Sequence, residues 1–157
     1  MDIHLILVGK TSFSYLEKGM LDYTKRLKRY CNFTISIVSD EPSKKNSNEI
    51  VKHKEGQRIL SKLGPKDYVI LLDDKGKQPT SIELAKNIQK INYTHTNKTI
   101  VFVVGGAYGF SDEVYGRAND KYSLSKLTFS HQIIRLLFLE QLYRAHTIIK
   151  GEPYHHE

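Results

Sequence analysis

The chain has 157 residues, 39% hydrophobic and 26% charged, a composition that excludes a disordered or fibrous protein and is typical of one globular domain. Its 24 lysines and arginines against 17 aspartates and glutamates give a formal net charge of +7, which favours an anionic partner such as a nucleic acid, with general solubility as the alternative explanation. The single cysteine, Cys31, excludes an internal disulfide and fits a reducing compartment.

The amino terminus and the hydrophobic runs predict a cytoplasmic protein. Asp2 stands where a secretory signal would carry positive charge, and the apolar run at 3–8 is too short for such a signal. No stretch of about 18 residues is apolar enough to span a bilayer. We therefore expect no membrane association and a single domain over residues 1–157.

Strand and helix patterns alternate along the chain. The predicted strands are residues 3–8, 33–38, 68–72 and 99–104, with a mixed strand-like segment at 122–129. The predicted helices open at Ser14, about Glu49, Thr80, Ser111 and Ser130, and the last one runs to about Lys150. Ser14 with Glu17 and Thr80 with Glu83 have the spacing of a capping box. This alternation predicts one α/β domain with a mainly parallel sheet flanked by helices.

Two segments after the most apolar strand are candidates for ligand binding. Gly105, Gly106 and Gly109 follow strand 99–104, where a ligand can approach the backbone at the carboxyl end of a parallel strand. Their spacing differs from the dinucleotide fingerprint and no P-loop lysine follows, so a tight turn without a ligand is an equal alternative. Segment 124–129 places small polar residues between apolar ones, and an ordinary edge strand is its alternative.

The last helix and the tail after it form a third candidate. The first half of this helix is apolar nearly all round, which predicts that a second subunit covers it. Arg135, Glu140 and Arg144 interrupt the apolar surface, and a buried charge is usually paired or faces a polar ligand. Tyr154 and His155 supply an aromatic face and a titratable ring. A frayed terminus is the alternative for this tail.

Basic residues cluster on two predicted helices. Those of the first helix are Lys25, Arg26, Lys28 and Arg29, and those of the second include Lys52, Lys54 and Arg58. Solvated surface charge is the plain alternative for any one of them, but as a group they are the predicted phosphate contacts. No cluster of His, Cys, Asp or Glu has the spacing of a metal site, so we expect chemistry without a metal.

Motifs along the whole chain resemble those of one known family. They are Leu7-Val8-Gly9-Lys10, Lys54-Glu55-Gly56-Gln57-Arg58-Ile59-Leu60, Leu72-Asp73, Val104-Gly105-Gly106-x-x-Gly109, Leu124-Ser125-x-x-Thr128-Phe129-x-His131, Arg135-x4-Glu140-Gln141-x-Tyr143-Arg144-Ala145 and Pro153-Tyr154-His155. In this order they make the chain similar to the ribosomal RNA large subunit methyltransferase H family, which are minimal enzymes of the SPOUT class.

The resemblance implies a homodimer with a C-terminal trefoil knot, the knot and cofactor site lying in about residues 100–157. It implies an enzyme that methylates N3 of a pseudouridine in helix 69 of 23S ribosomal RNA on assembled ribosomes, with S-adenosylmethionine as cofactor. The cofactor-binding residues that it implies are Leu72, Gly105, Leu124, Ser125, Lys126, Leu127, Thr128 and Phe129.

Five residues are then candidates for catalysis. The imide N–H of a pseudouridine is weakly acidic, so a proton acceptor helps, and His131, Glu140 and His155 remain open for that role. Arg135 is expected to offset negative charge on the ring oxygens, and Tyr154 to stack on an extruded base. Two other interpretations stay open at this point, a non-catalytic ribosome-binding factor with the same fold and a flavodoxin-like nucleotide-binding protein.

Overall fold

The computed structural model describes residues 1–156 and arranges their strands in one sheet. The strands are β1 (Asp2–Val8), β2 (Asn32–Val38), β3 (Tyr68–Lys77), β4 (Thr99–Val104) and β5 (Asp120–Tyr122). They lie in the order β2-β1-β4-β3-β5, and every neighbouring pair is parallel. The prediction of an α/β domain with a mainly parallel sheet is therefore confirmed.

Helices cover both faces of this sheet. They are α1 (Ser14–Leu27), α2 (Asn48–Leu60), α3 (Ser81–Thr94), α4 (Asp112–Arg117) and α5 (Ile133–Lys150). Side chains such as Leu5 and Phe102 point into a core with α1, α3 and α5, whereas their neighbours Ile6 and Val103 point into a second core with α2 and α4. Because β1 and β4 are buried on both faces, their sequences are continuous apolar runs.

Two of the predicted helix caps are present in the structure and a third is not. The capping box at α3 is confirmed, with Glu83 N–H donating to Thr80 Oγ1 at 3.2 Å and Thr80 N–H donating to Glu83 Oε2 at 2.7 Å. Ser111 caps α4 as expected. The predicted capping box at Ser14 is wrong, because Ser14 already lies inside α1 and its N-cap is Phe13, whose side chain makes no capping bond.

The segment after β5 is not the strand that its alternation suggests. β5 ends at Tyr122, and residues 124–129 have no regular secondary structure. Local side-chain bonds compete with strand pairing there, since Ser123 Oγ donates to the Ser125 carbonyl at 2.8 Å and Leu127 N–H donates to Ser125 Oγ at 2.9 Å. The last helix begins at Ile133, although Ser130 Oγ still accepts from the Ile133 N–H at 3.2 Å.

The tail after α5 packs back on the protein instead of fraying. Gly151 adopts the left-handed conformation that ends a helix, with a φ of 68°. Tyr30, just after α1, then donates to Glu152 at 2.5 Å, and Tyr154 donates to Glu140 at 3.1 Å. Among residues 1–156, no helix has the length and apolar character needed to cross a lipid bilayer.

Candidate cofactor cavity and active site

A cavity of about 530 Å³ opens at the carboxyl ends of β3 and β4. Three segments line it: residues 72–75 of β3, the glycine loop (105–109), and the loop that leads to α5 (123–131), called the wall loop below. Its volume lies in the usual range of small-molecule sites, and ligands of open parallel sheets bind at this edge. The sheet therefore places both candidate ligand-binding segments around one cavity.

The glycine loop is a tight turn whose backbone lines the cavity. Gly109 N–H donates to the Gly106 carbonyl at 3.3 Å, and Gly109 has a φ of +81°, which residues with side chains rarely adopt. A Cβ atom on Gly105 would lie 3.0 Å from the ring of Phe110, so a larger residue would displace that ring. The tight turn is thus confirmed, and ligand binding by this loop stays a prediction.

An irregularity of β3 brings carboxylates to the cavity that the sequence did not indicate. Leu72 and Lys77 both pair with Tyr122, so the residues between them bulge out of the sheet. Asp73 and Asp74 of this bulge line the cavity. The Tyr115 hydroxyl donates a hydrogen bond to Asp73, and burial together with this bond raises the pKa of Tyr115 above its usual range.

The wall loop contributes most of the predicted cofactor residues. Leu124, Ser125, Leu127, Thr128 and Phe129 line the cavity, as do Leu72 and Gly105 from the other two segments. The exposed Lys126 is the exception, because its side chain does not line the cavity. Lys126 is therefore placed less well than its neighbours for cofactor contact.

His131 closes the wall loop and is the predicted catalytic residue that shares the cavity with the cofactor segments. Burial lowers the pKa of His131, and the nearby Arg135 lowers it further. Its imidazole is therefore neutral near neutral pH, in the form that accepts a proton.

The guanidinium of Arg135, predicted to contact the substrate, contacts groups of the protein itself. Its side chain is fully buried. The guanidinium donates to the carbonyls of Val8 at 2.6 Å, Gly9 at 2.9 Å and His131 at 3.0 Å, and to Thr11 Oγ1 at 3.1 Å. These bonds tie the start of α5 to the end of β1. They direct the guanidinium into the protein, and contact of Arg135 with a substrate stays a prediction.

Four residues of α5 and the tail form a separate group, called the tail cluster below: Glu140, Arg144, Tyr154 and His155. Arg144 donates to Glu140 Oε1 at 2.6 and 3.1 Å, and its guanidinium lies 4.7 Å from the centre of the Tyr154 ring. Arg144 Nη1 lies 3.3 Å from His155 Nδ1. A guanidinium has no acceptor, so Nδ1 must accept here and the ring proton of His155 is on Nε2.

The tail cluster lies apart from the cavity. None of the four cluster residues lines the cavity. Ile134 does line it, and from there to Arg144 the axis of α5 advances about 15 Å. Within residues 1–156, no three or more His, Cys, Asp or Glu side chains are grouped so that they could hold a metal ion.

The basic residues of α1 do not form one free face. Arg26, one of the predicted phosphate contacts, pairs with Asp22 at 3.0 Å and lies over the rings of Tyr23 and Tyr143, 5.5 and 5.6 Å from their centres. The residues of this group that are exposed to solvent are Lys25, Lys28 and Arg29. On α2, Lys54 and Arg58 both pair with Glu41, at 3.2 and 2.6 Å.

Comparisons with known proteins agree along the whole chain. A family described as "Predicted SPOUT methyltransferase" matches residues 1–155. The chain is 49% identical over 158 residues to ribosomal RNA large subunit methyltransferase H of Parabacteroides distasonis and 50% identical over 158 residues to that of Flavobacterium psychrophilum, each alignment covering 100% of both proteins. The protein of the same description from Bacillus pumilus is 46% identical and is covered over 99% of both chains.

Among solved structures, the fold is similar to the crystal structure of Archaeoglobus fulgidus Nep1 bound to S-adenosylhomocysteine. The match covers 97% of this chain and 100% of that one, with a TM-score of 0.46 and 9% sequence identity.

Proposed function

The chain belongs to the ribosomal RNA large subunit methyltransferase H family of SPOUT methyltransferases, and from this membership we propose that it methylates N3 of a pseudouridine in helix 69 of 23S ribosomal RNA, using S-adenosylmethionine. The observation that carries the proposal is an identity of 49% that extends over 100% of both chains. The cavity at the sheet edge supports it, because it has the volume and the lining that a nucleoside cofactor requires.

The residues around the cavity fit S-adenosylmethionine. Leu72, Leu124 and Ile134 offer apolar surface to a nucleoside, and the backbone of the glycine loop offers polar groups at close approach. Asp73 and Asp74 add negative charge near a ligand that carries a cationic sulfonium. When bound, the cofactor supplies an electrophilic methyl group, and the transfer needs alignment of the acceptor nitrogen but no metal.

A homodimer is part of the proposal, because the cavity and the tail cluster, which both carry predicted site residues, lie apart in one chain. A two-fold partner would bring the tail cluster of one subunit to the cavity of the other. Apolar side chains beside the cavity are available for such an interface, with Leu127 73%, Phe129 39% and Ile133 37% exposed. The C-terminal trefoil knot implied by the sequence resemblance belongs to the same proposal.

The tail cluster residues then take different roles. Tyr154 stacks on the extruded base, held by Arg144 and Glu140. His155, whose Nδ1 accepts from Arg144, helps to hold the Arg144 guanidinium beside the Tyr154 ring. His131, neutral and at the cavity, is the remaining acceptor for the imide proton.

Cofactor titration tests this function directly. The wild-type protein should bind S-adenosylmethionine and should bind neither a flavin nor a nicotinamide nucleotide. Gly105→Val should weaken that binding at least about tenfold, or about 1.4 kcal/mol, because its side chain would displace the Phe110 ring, which itself lines the cavity. Isothermal titration calorimetry measures both.

Gly116→Ala is the matched control, because a Cβ at Gly116 meets open space. Its affinity should equal that of the wild type. A wild-type protein that binds ribosomes but not S-adenosylmethionine would instead support a non-catalytic ribosome-binding factor, and one that binds a flavin would support a flavodoxin-like protein.

Ribosome binding should depend on the exposed basic residues that follow α1. Changing both Lys28 and Arg29 to alanine should weaken ribosome binding. It should also make the plot of log binding constant against log salt concentration less steep, by about 0.7 in slope for each phosphate contact that is lost. Lys86 and Lys90, exposed on α3, provide a control that removes the same charge elsewhere. An equal effect of both pairs would mean that only net charge matters. An unchanged slope would place the RNA elsewhere, over Arg144 and the tail.

A further inference from the structure

A carboxylate occupies the buried stripe of α2. Val51, Glu55 and Ile59 follow one another at intervals of four residues, and all three are buried. The Glu55 side chain lies in the interior, with only 4% of the residue exposed. A charged group in such a position costs stability unless polar partners surround it, and an apolar residue would be the more stable choice. Stability therefore does not explain why a glutamate is present at position 55.

The two oxygens of this carboxylate have different surroundings. Oε1 accepts from the Glu41 backbone N–H at 3.1 Å. Oε2 is buried and has no hydrogen-bond partner within the described chain, residues 1–156. It faces the glycine loop, because a Cβ atom built on Gly106 would lie 2.7 Å from Oε2. The unpartnered oxygen thus occupies the space that any side chain at position 106 would need.

The next residue of α2 makes a second close contact with the segment that follows the same loop. A Cβ atom on Gly56 would lie 2.4 Å from Ser111 Oγ, the N-cap of α4. Helix α2 therefore supports the glycine loop at Gly106 and the chain after it at Ser111. Gly106 lines the cofactor cavity while Glu55 does not, so Glu55 lies behind the loop.

Burial and the surrounding charges together raise the pKa of Glu55. Burial raises its pKa most, and the nearby Asp40 and Glu41 raise it further, while Arg58 and the hydrogen bond from the Glu41 N–H lower it. Asp40 and Glu41 belong to the connection between β2 and α2, and Arg58 belongs to α2 itself. Residues 105–109 of the glycine loop contain no charged side chain.

We propose that Glu55 is a positioning residue of the cofactor site: its Oε2, which has no hydrogen-bond partner among residues 1–156, accepts a backbone N–H of the glycine loop near Gly106 when the loop receives S-adenosylmethionine. The inference rests on the proposed function. The Gly106 carbonyl already accepts from Gly109 N–H, so an acceptor behind the loop is best matched to a backbone N–H. Glu55 acts through the loop and does not touch the cofactor.

A double-mutant cycle tests the contact between Glu55 and Gly106. Gly106→Ala should weaken S-adenosylmethionine binding at least about tenfold, because the added methyl group displaces Oε2. Glu55→Ala should also weaken it. The double variant should bind no more weakly than Glu55→Ala alone, since the shortened side chain leaves room for the methyl group. Losses that simply add would overturn the proposal.

The pH dependence of binding is the second readout. The affinity of the wild-type protein for S-adenosylmethionine should fall as pH decreases through the raised pKa of Glu55. The ionised carboxylate holds the loop, and protonation removes its charge. Glu55→Gln should bind more weakly above that pH and should lose this pH dependence. Glu49→Gln, an exposed change on the same helix, should keep the wild-type profile.

These measurements separate the two proposals. If the wild-type protein does not bind S-adenosylmethionine, the proposed function and this inference both fail. If it binds, and Glu55→Gln and Gly106→Ala bind with unchanged affinity and pH profile, this inference alone is overturned. Thermal melting reports whether each variant is folded. Should Glu55→Ala not fold, Glu55→Gln and Gly106→Ala still decide the question.

Discussion

Replacing Arg135 with methionine should lower the free energy of unfolding by at least about 3 kcal/mol and weaken cofactor binding as a consequence. The guanidinium is buried and donates to the carbonyls of Val8, Gly9 and His131. Methionine fills similar space but leaves these acceptors without that donor, and each unsatisfied buried group costs about 1–3 kcal/mol. Urea denaturation followed by circular dichroism measures the loss.

Arg135→Lys is the matched control for charge. A lysine keeps the positive charge but cannot supply the planar set of donors, so its stability should lie between those of the wild type and Arg135→Met. An Arg135→Met protein that is as stable as the wild type, binds the cofactor and yet does not methylate ribosomes would favour the contact with the substrate that the sequence suggested.

Mixing two inactive variants should restore methylation if the active site combines residues of two subunits. Gly105→Val damages the cavity and Tyr154→Ala damages the tail cluster, and each alone should reduce activity at least about tenfold. In a heterodimer one of the two sites receives an intact cavity and an intact tail. Random exchange at equal amounts makes half of the dimers mixed, so about a quarter of wild-type activity should return.

A second cavity variant provides the control for this experiment. Thr128→Arg also alters the cavity lining, and mixing it with Gly105→Val leaves every site with a damaged cavity, so no activity should return. Methyl incorporation into ribosomes gives the rate, and native mass spectrometry shows whether subunits have exchanged. Exchange without recovery of activity would place the cavity and the tail cluster in one chain's site.

The sequence by itself determined the layered α/β fold and indicated two of the segments that line the cavity. The strands β1 and β4 can be recognised from the sequence as continuous apolar runs, because they are buried on both faces and therefore contain few polar residues. The capping box at Thr80 can be recognised from the sequence because its partner, Glu83, lies only three residues away. The glycine loop follows an apolar strand directly, so its place at the sheet edge needed no knowledge of distant contacts.

Only the tertiary structure showed which groups the charged residues contact. The hydrogen-bond partners of Arg135 lie up to 127 residues away in the sequence, so no local pattern could show that its guanidinium binds backbone carbonyls of β1 and the residue after it. The bulge that turns Asp73 toward the cavity arises from pairing with β5, a strand of three residues that follows much later. Glu55 did carry a local signal, as a carboxylate in the apolar stripe of α2, but its meaning depends on Gly106, which only the packing of α2 against the glycine loop brings near.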